Sequence, residues 1–166
     1  MIRIVALLLT VAVALSAATA QAEEQGTQVA FGATKADPTL PVEVTSDTLD
    51  VHQENGTAEF IGTVRVKQGE MRLSADRVLV FYAEEASAIE RMEATGDVVL
   101  VNGPDVAEGE RADYTIDDGV IVITGDVLLT QGPNAITSEK ATINLITGTA
   151  NMIGRVKTIL LPNKSE

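Results

Sequence analysis

An acid stands directly before a base at Asp76-Arg77, Glu110-Arg111 and Glu139-Lys140, three pairs that recur at one offset. A carboxylate beside a cation is a pairing that general acid–base chemistry uses, because each group shifts the protonation of the other. The rest of the catalytic inventory is thin. The single histidine, His52 in LDVHQENG, has no second imidazole, and the chain has no cysteine. That leaves no histidine or cysteine metal site and no histidine-based nucleophilic triad, and no G-x-S-x-G elbow occurs. His52 reads as a solvent-facing strand residue near a turn, and the chain as a protein with no enzymatic activity, cofactor or metal. If the three pairs lie in strands, adjacent residues point to opposite faces. The pairs then read as cross-strand charge ladders on a solvated edge.

Arg65, Lys67, Arg72 and Arg77 form a basic group within 13 positions. Contact with an anionic head group and an ordinary solvated strand face are both open readings of it. The whole chain is acidic, with 24 Asp and Glu against 12 Lys and Arg and a net charge of −12. That balance argues against wrapping nucleic acid or binding broadly to an anionic membrane surface.

What must position these residues is a repeat. GTVRVKQG (62–69) recurs as GDVVLVNG (96–103) and GDVLLTQG (125–132), and the acid–base pair follows seven residues past the second glycine each time. Six residues before the leading glycine stand Gly56, Gly119 and Gly148, and Gly154-Arg155-Val156 opens a fourth copy. The leading glycines are spaced 34, 29 and 29, a period typical of stacked supersecondary units. Val, Ile, Thr and Leu alternate with polar residues, punctuated by Asn55-Gly56, Asp118-Gly119, Gly103-Pro104 and Gly132-Pro133, so each unit reads as strands. The best helical window, 83–92, falls where one unit carries five extra residues and reads as a longer loop or a strand extension.

Counting by twos through the leading glycines collects one apolar face. It holds Ala58, Phe60, Val64 and Val66; Val98 and Leu100; Ile121, Ile123, Val127 and Leu129; and Ala150, Met152, Val156, Thr158 and Leu160. The opposite face carries Thr63, Arg65, Lys67, Asp97, Asp126, Arg155 and Lys157, with Val99, Val101 and Leu128 blurring the contrast. Stacked copies make one apolar wall, curved where glycines mark bulges, in a β-sandwich, a jelly roll or a short solenoid. With only five aromatic residues in the chain, the interior is either a solid core or a lumen open enough for acyl chains.

The chain begins with Met1-Ile2-Arg3, an apolar run over 4–15 and small residues that fit an A-x-A site. This reads as a secretory signal peptide over 1–22, with cleavage expected after Ala22 and Ala20 as the alternative; an uncleaved anchor is the rival. Cleavage removes one Arg and no acid, leaving 11 basic and 24 acidic residues and a net charge of −13. The mature chain divides into a flexible N-terminal segment (23–41), a β domain (42–161) and a short tail (162–166).

The run VTSDTLDVHQENGTAEFIGTVRVKQGEMRLSADRVLVF (44–81) resembles the start of LptA-type (OstA-like) periplasmic proteins of the lipopolysaccharide transport system. It has their S-D-x-L-D-V strand, N-G turn, F-x-G-x-V-x-V-x-Q-G strand and A-D-R-V-x-V strand. The likeness continues through ITGDVLLTQG and ITSEKATINL, about 42 to 160 in all. The resemblance implies an all-β, antiparallel β jelly roll, a folded repeat array open at both ends, that carries lipopolysaccharide from the inner to the outer membrane. Its implied partners are the acyl chains of lipid A and the inner-membrane and outer-membrane components that share the domain. The leader and the lack of a barrel match the soluble periplasmic bridge. The expected groove lining is Phe60, Val64, Val66, Val98, Leu100, Ile121, Ile123, Val127, Leu129, Met152 and Val156. One rival is a structural, self-assembling β-repeat protein with a solid core and no lipid cargo; another is a carbohydrate-active solenoid. The strand at 42–51 is acidic (Glu43, Asp47, Asp50) and that at 155–161 basic (Arg155, Lys157), so copies are expected to pair head to tail through open edges.

Overall fold

The structure is a computed structural model that describes residues 26–32, 37–83 and 88–161. The expected cleavage site and the tail 162–166 lie outside the described residues. Seven strands run up and down, each antiparallel to the next: β4 (Thr57–Gln68), β5 (Met71–Tyr82), β6 (Ile89–Asn102), β7 (Asp105–Thr115), β8 (Val120–Gln131), β9 (Asn134–Asn144) and β10 (Thr149–Ile153). Gly69, Gly103 and Gly132 open the two-residue turns at one end with φ of 56°, 62° and 54°, as tight hairpins require. Short strands finish the sheet. β2 (Glu43–Thr45) and β3 (Thr48–His52) both lie on β4, β11 (Lys157–Ile159) lies on β9, and β1 (Thr27–Ala30) lies on β10. The sheet order is β1-β10-β9-β8-β7-β6-β5-β4-β2. The described residues contain no α-helix; of the 83–92 window, 84–87 lie outside the described residues and Ile89–Met92 open β6.

A seam crosses every long strand. Register slips between Ile61 and Val64, Thr95 and Val98, and Thr124 and Val127, where two residues bulge. In each copy the bulge is the leading glycine followed by a second residue of positive φ: Gly62 and Thr63 (81° and 47°), Gly96 and Asp97 (81° and 43°), Gly125 and Asp126 (85° and 44°), Gly154 and Arg155 (80° and 41°). The glycine is required twice over. A Cβ on Gly62, Gly96, Gly125 or Gly154 would lie 2.5–2.6 Å from a carboxylate oxygen of Asp47, Asp76, Glu110 or Glu139. The recurring acid is therefore a seam residue, packed on the next copy's glycine.

The acid–base pairs differ from the strand rule in an informative way. On β5 the buried positions run Met71, Leu73, Ala75 and then Val78, Val80, so the alternation changes phase at Asp76-Arg77. β9 does the same at Glu139-Lys140. The expectation that acid and base face opposite ways is corrected: the bulge turns both outward.

The seam folds the sheet onto itself. Tyr114 stands in the same cross-strand row as Ala58, ten residues along β4 from Gln68. In a flat sheet that is about 33 Å. Instead Tyr114 Oη donates to Gln68 Oε1 at 2.7 Å. Half-sheet I, which contains β1, β3 and β10, thus faces half-sheet II, which contains β2 and β11, across one apolar core. The segment 23–41, expected to be flexible, supplies β1 and the fully buried Phe31. Aromatic bulk beside the open edge of β10 gives that stretch a place to pack.

Candidate functional site

The inward face is almost wholly aliphatic. Val64, Val66, Val98, Leu100, Ile121, Ile123, Val127, Leu129 and Met152 all point into it and are at most 1% exposed. Phe60 lies on the same face and is partly buried against the core, since only the short β3 lies beyond it. Val156 does not join them: it is 36% exposed, because β10 stops at Ile153 and no strand among the described residues covers β11. The returning strands supply an equal share that the repeat pattern does not reveal, among them Leu73, Val78, Val80, Tyr114, Ile136 and Ile143. Their alternation is legible once the phase change at each acid is allowed for.

The face is closed by contact between its own side chains rather than by an enclosed lumen. At both ends it runs out uncovered. Leu49 and Val51 stand opposite Phe60 and Ala58, so they share the inner face, yet they are 50% and 60% exposed. At the other end Thr158 stands opposite Ile136, and Leu160, two residues on, is 69% exposed.

Where the two half-sheets part at their turn ends, half-sheet II carries a polar row. Gln68, Met71, Asn102, Asp105, Gln131 and Asn134 are successive register partners, and only Met71 is apolar. Gln68 and Asn102 are buried, and Asp105 nearly so. Such groups need partners, and the N-terminal segment supplies backbone ones. Gly32 N donates to Asp105 Oδ2 at 2.7 Å; Gln131 Nε2 donates to Ala30 O at 2.6 Å and to Asp105 Oδ2 at 3.0 Å. Gln68 Nε2 donates to Pro38 O at 3.2 Å and to Leu40 O at 3.1 Å. From half-sheet I, Gly148 O accepts from Phe31 N at 2.9 Å. The described residues 30–32 and 37–42 thus form a strap over the mouth, with Phe31 as its plug.

The outer faces differ. Half-sheet I carries a charge ladder: Arg77 pairs with Glu59, Arg91 with Glu93 and Asp113, and Arg111 with Glu93 at 2.9 Å and Asp113 at 2.8 Å. Hydrogen bonds to Asp113, then Glu93, hold the Arg111 guanidinium above its ordinary value. Partial burial works to raise the pKa of Glu93, but hydrogen bonds from Arg91 and Arg111 keep it below the usual carboxylate range. Of the three acid–base pairs expected to form ladders, only the bases Arg77 and Arg111 join this one, while Asp76 and Glu110 stand at the seam and Glu139 pairs with Arg155 at 2.6 Å. His52 is exposed at the end of β3. Among the described residues no group of three or more His, Cys, Asp or Glu is placed to hold a metal ion. On half-sheet II, Arg65, Lys67 and Arg72 edge a groove of about 430 Å³ floored by Val99 and Val101; Arg77 of the same sequence cluster stands apart, in the ladder.

Residues 43–149 match the family described as LptA/(LptD N-terminal domain) LPS transport protein. An uncharacterised protein of Rhizobium meliloti (strain 1021) is 30% identical over 90 residues, which are 50% of this chain and 48% of that protein. The chain spans about half the length of this curated relative. The crystal structure of LptH, the LptA homologous periplasmic component of the lipopolysaccharide transport device from Pseudomonas aeruginosa, superposes with a TM-score of 0.67 over 76% of this chain and 99% of that one, at 19% identity. At that identity the likeness speaks for the fold, a β jelly roll.

Proposed function

The chain belongs to the LptA/LptD N-terminal domain family of lipopolysaccharide transport proteins, and from that premise we propose that it is a periplasmic carrier that shields the acyl chains of lipopolysaccharide between the inner and outer membranes. The observation that carries the reading is the continuous aliphatic inner face that runs uncovered out of both ends of the fold. Exposing an acyl chain to water costs about 0.8 kcal/mol per CH₂, so a twelve-carbon chain risks roughly 10 kcal/mol in an aqueous compartment. An apolar face removes most of that penalty without any chemical step. Because the inner side chains touch one another, chains enter by replacing those contacts. The half-sheets hinge at the seam, and the strap leaves the mouth.

Copies join end to end. The acidic β2–β3 edge (Glu43, Asp47, Asp50) meets the end that carries Arg155 and Lys157, and Leu49 and Val51 of one copy extend the inner face of the next. Strand β1 already covers β10, so β11 is the strand left to pair at the basic end. Each exposed ion pair adds about 0–1 kcal/mol, so charge selects the partner while backbone pairing and apolar contact hold it. The inner-membrane and outer-membrane components of the same system dock through the same edges.

A photoreactive residue at Val127 tests the cargo: crosslinking to lipopolysaccharide supports the reading, and crosslinking to protein alone refutes it. Deleting 155–166 should abolish concentration-dependent oligomers in light scattering without unfolding the domain. The filled interior favours one other reading, a self-assembling β protein with a solid core. That reading requires the same oligomers with no glycolipid binding.

A further inference from the structure

Four of the six described arginines have a carboxylate partner: Arg77, Arg91, Arg111 and Arg155. Arg65 and Arg72 have none among the described residues, in a chain with twice as many acids as bases. Arg72 is anchored to the turn beside it by Nη1 alone, which donates to Gly69 O at 2.7 Å and Met71 O at 2.9 Å, so its Nε and Nη2 remain for a ligand. Lys67 reaches Glu43 only at 3.9 Å, with both side chains at least half exposed. A contact of that kind stabilises little.

The register makes the placement stranger. Lys67 and Arg72 are directly opposite partners on β4 and β5, and Arg65 is two residues along the same face. Like charges set opposite each other across a strand pair destabilise the pair. An acidic chain has many carboxylates with which to relieve that repulsion, and half-sheet I does so at every arginine. Half-sheet II sets one carboxylate there, Glu43, the register partner of Lys67 on β2, and otherwise places Val99 and Val101 next to the cations, opposite Ser74 and Arg72. A cationic rim on an apolar floor complements an anion attached to an apolar or uncharged body. The groove of about 430 Å³ accommodates a head group. It also lies at the mouth, since Lys67 and Arg72 immediately adjoin Gln68 and Met71 of the polar row.

We propose that this outer groove is a binding site for a phosphate group on the head of the cargo amphiphile, with Lys67 and Arg72 clamping the phosphate and Arg65 flanking it. The assignment rests on the lipopolysaccharide reading above. It places the acyl chains inside the mouth and the phosphate over its lip, so one molecule is held at two points of opposite chemistry. Glu43 is displaced from Lys67 when the phosphate arrives.

The test compares the mature chain with its Lys67→Gln/Arg72→Gln and Arg65→Gln variants against three probes: lipopolysaccharide, the same glycolipid dephosphorylated enzymatically, and inorganic pyrophosphate. The unsubstituted protein should prefer the phosphorylated form by about ten- to a hundredfold at low salt. The double variant should lose that preference while binding the dephosphorylated form as before. Its thermal midpoint should change little, since losing the like-charge pair offsets losing the Arg72 bonds to Gly69 O and Met71 O; a pair with a purely structural role would lower it clearly. Pyrophosphate should perturb the Arg65 and Arg72 Nε–H signals in NMR. A phosphate preference that survives in the double variant overturns the site. Arginine signals unmoved by pyrophosphate overturn it as well. Pyrophosphate binding by a protein that takes up neither glycolipid would overturn the lipid assignment and the carrier reading together, leaving a site for free phosphate; glycolipid binding with no phosphate preference overturns the site alone.

Discussion

Replacing Phe31 with Ala separates a plug from an ordinary core residue, because the two predict opposite effects on binding. Phe31 is fully buried and its N–H is tied to Gly148 O. Truncating a buried Phe to Ala costs about 3–5 kcal/mol. If the strap must leave before acyl chains enter, most of that loss falls on the closed state. A shift of about 3 kcal/mol raises the open fraction roughly a hundredfold while it remains a minority. Apparent affinity scales with the competent fraction, so lipopolysaccharide should bind up to about a hundredfold more tightly, or load that much faster. The global stability should fall at the same time. Stopped-flow fluorescence with labelled lipopolysaccharide reads the loading, and urea denaturation reads the stability. Binding that weakens in step with stability would refute the reasoning, because Phe31 would then be core and nothing more.

A Gln28→Cys/Asn151→Cys pair, opposite partners on β1 and β10 in a chain without cysteine, should close a disulfide at the usual cross-strand spacing of about 5 Å. Oxidation should block lipopolysaccharide loading and reduction restore it; equal loading in both states would show that β1 need not move. Burial pushes the Tyr114 hydroxyl up to about 12. Its neutral form is favoured in the fold, so its contribution is complete below the ordinary value near 10 and is lost as pH rises toward 12. Urea midpoints should therefore decline over that window in the native chain, and the decline should be absent in Tyr114→Phe. Thr63→Asp should be neutral or stabilising, since Asp97 and Asp126 hold the equivalent positive-φ position and a β-branched residue suits it poorly. Val127→Asp, which buries a carboxylate, should prevent folding or cargo binding; equal tolerance of the two changes, by circular dichroism, would refute the face assignment.

The repeat makes much of this legible. Glycine spacing locates the four bulges, and counting by twos through Gly62 and Gly125 finds the inner face, because those bulges take two residues and preserve the phase. The same rule fails on β5 and β9, where one acid fills the seam and the phase changes. Asp47 escapes the acid–base pattern because no base follows it, although it precedes Gly62 by the same 15 residues that separate Glu110 from Gly125. Strand β1 is not legible at all. A four-residue strand between uninformative flanks has no period of its own, and its partner β10 is more than a hundred residues away. Nor does a pattern of apolar residues distinguish a filled interior from an open one, since the two differ in the distance between half-sheets and not in composition.

That distance is where transport and stability meet. Opening the seam moves Val, Ile and Leu side chains from contact with one another to contact with acyl chains, and both surroundings are apolar. The transfer free energy per unit area is nearly the same on either side of the exchange, so the long aliphatic wall contributes little to the balance between closed and loaded states. What remains is a short set of directional interactions that break when the mouth opens: Tyr114 to Gln68, Asp105 to Gly32, Gln131 to Ala30, and the seat of Phe31. A hydrogen bond contributes about 0.5–1.5 kcal/mol net, more where a carboxylate accepts. A few such bonds keep an empty protein shut against water, yet are within reach of the roughly 10 kcal/mol that one acyl chain gains by leaving it. On this argument the polar row, and not the apolar wall, sets how readily cargo enters and moves on.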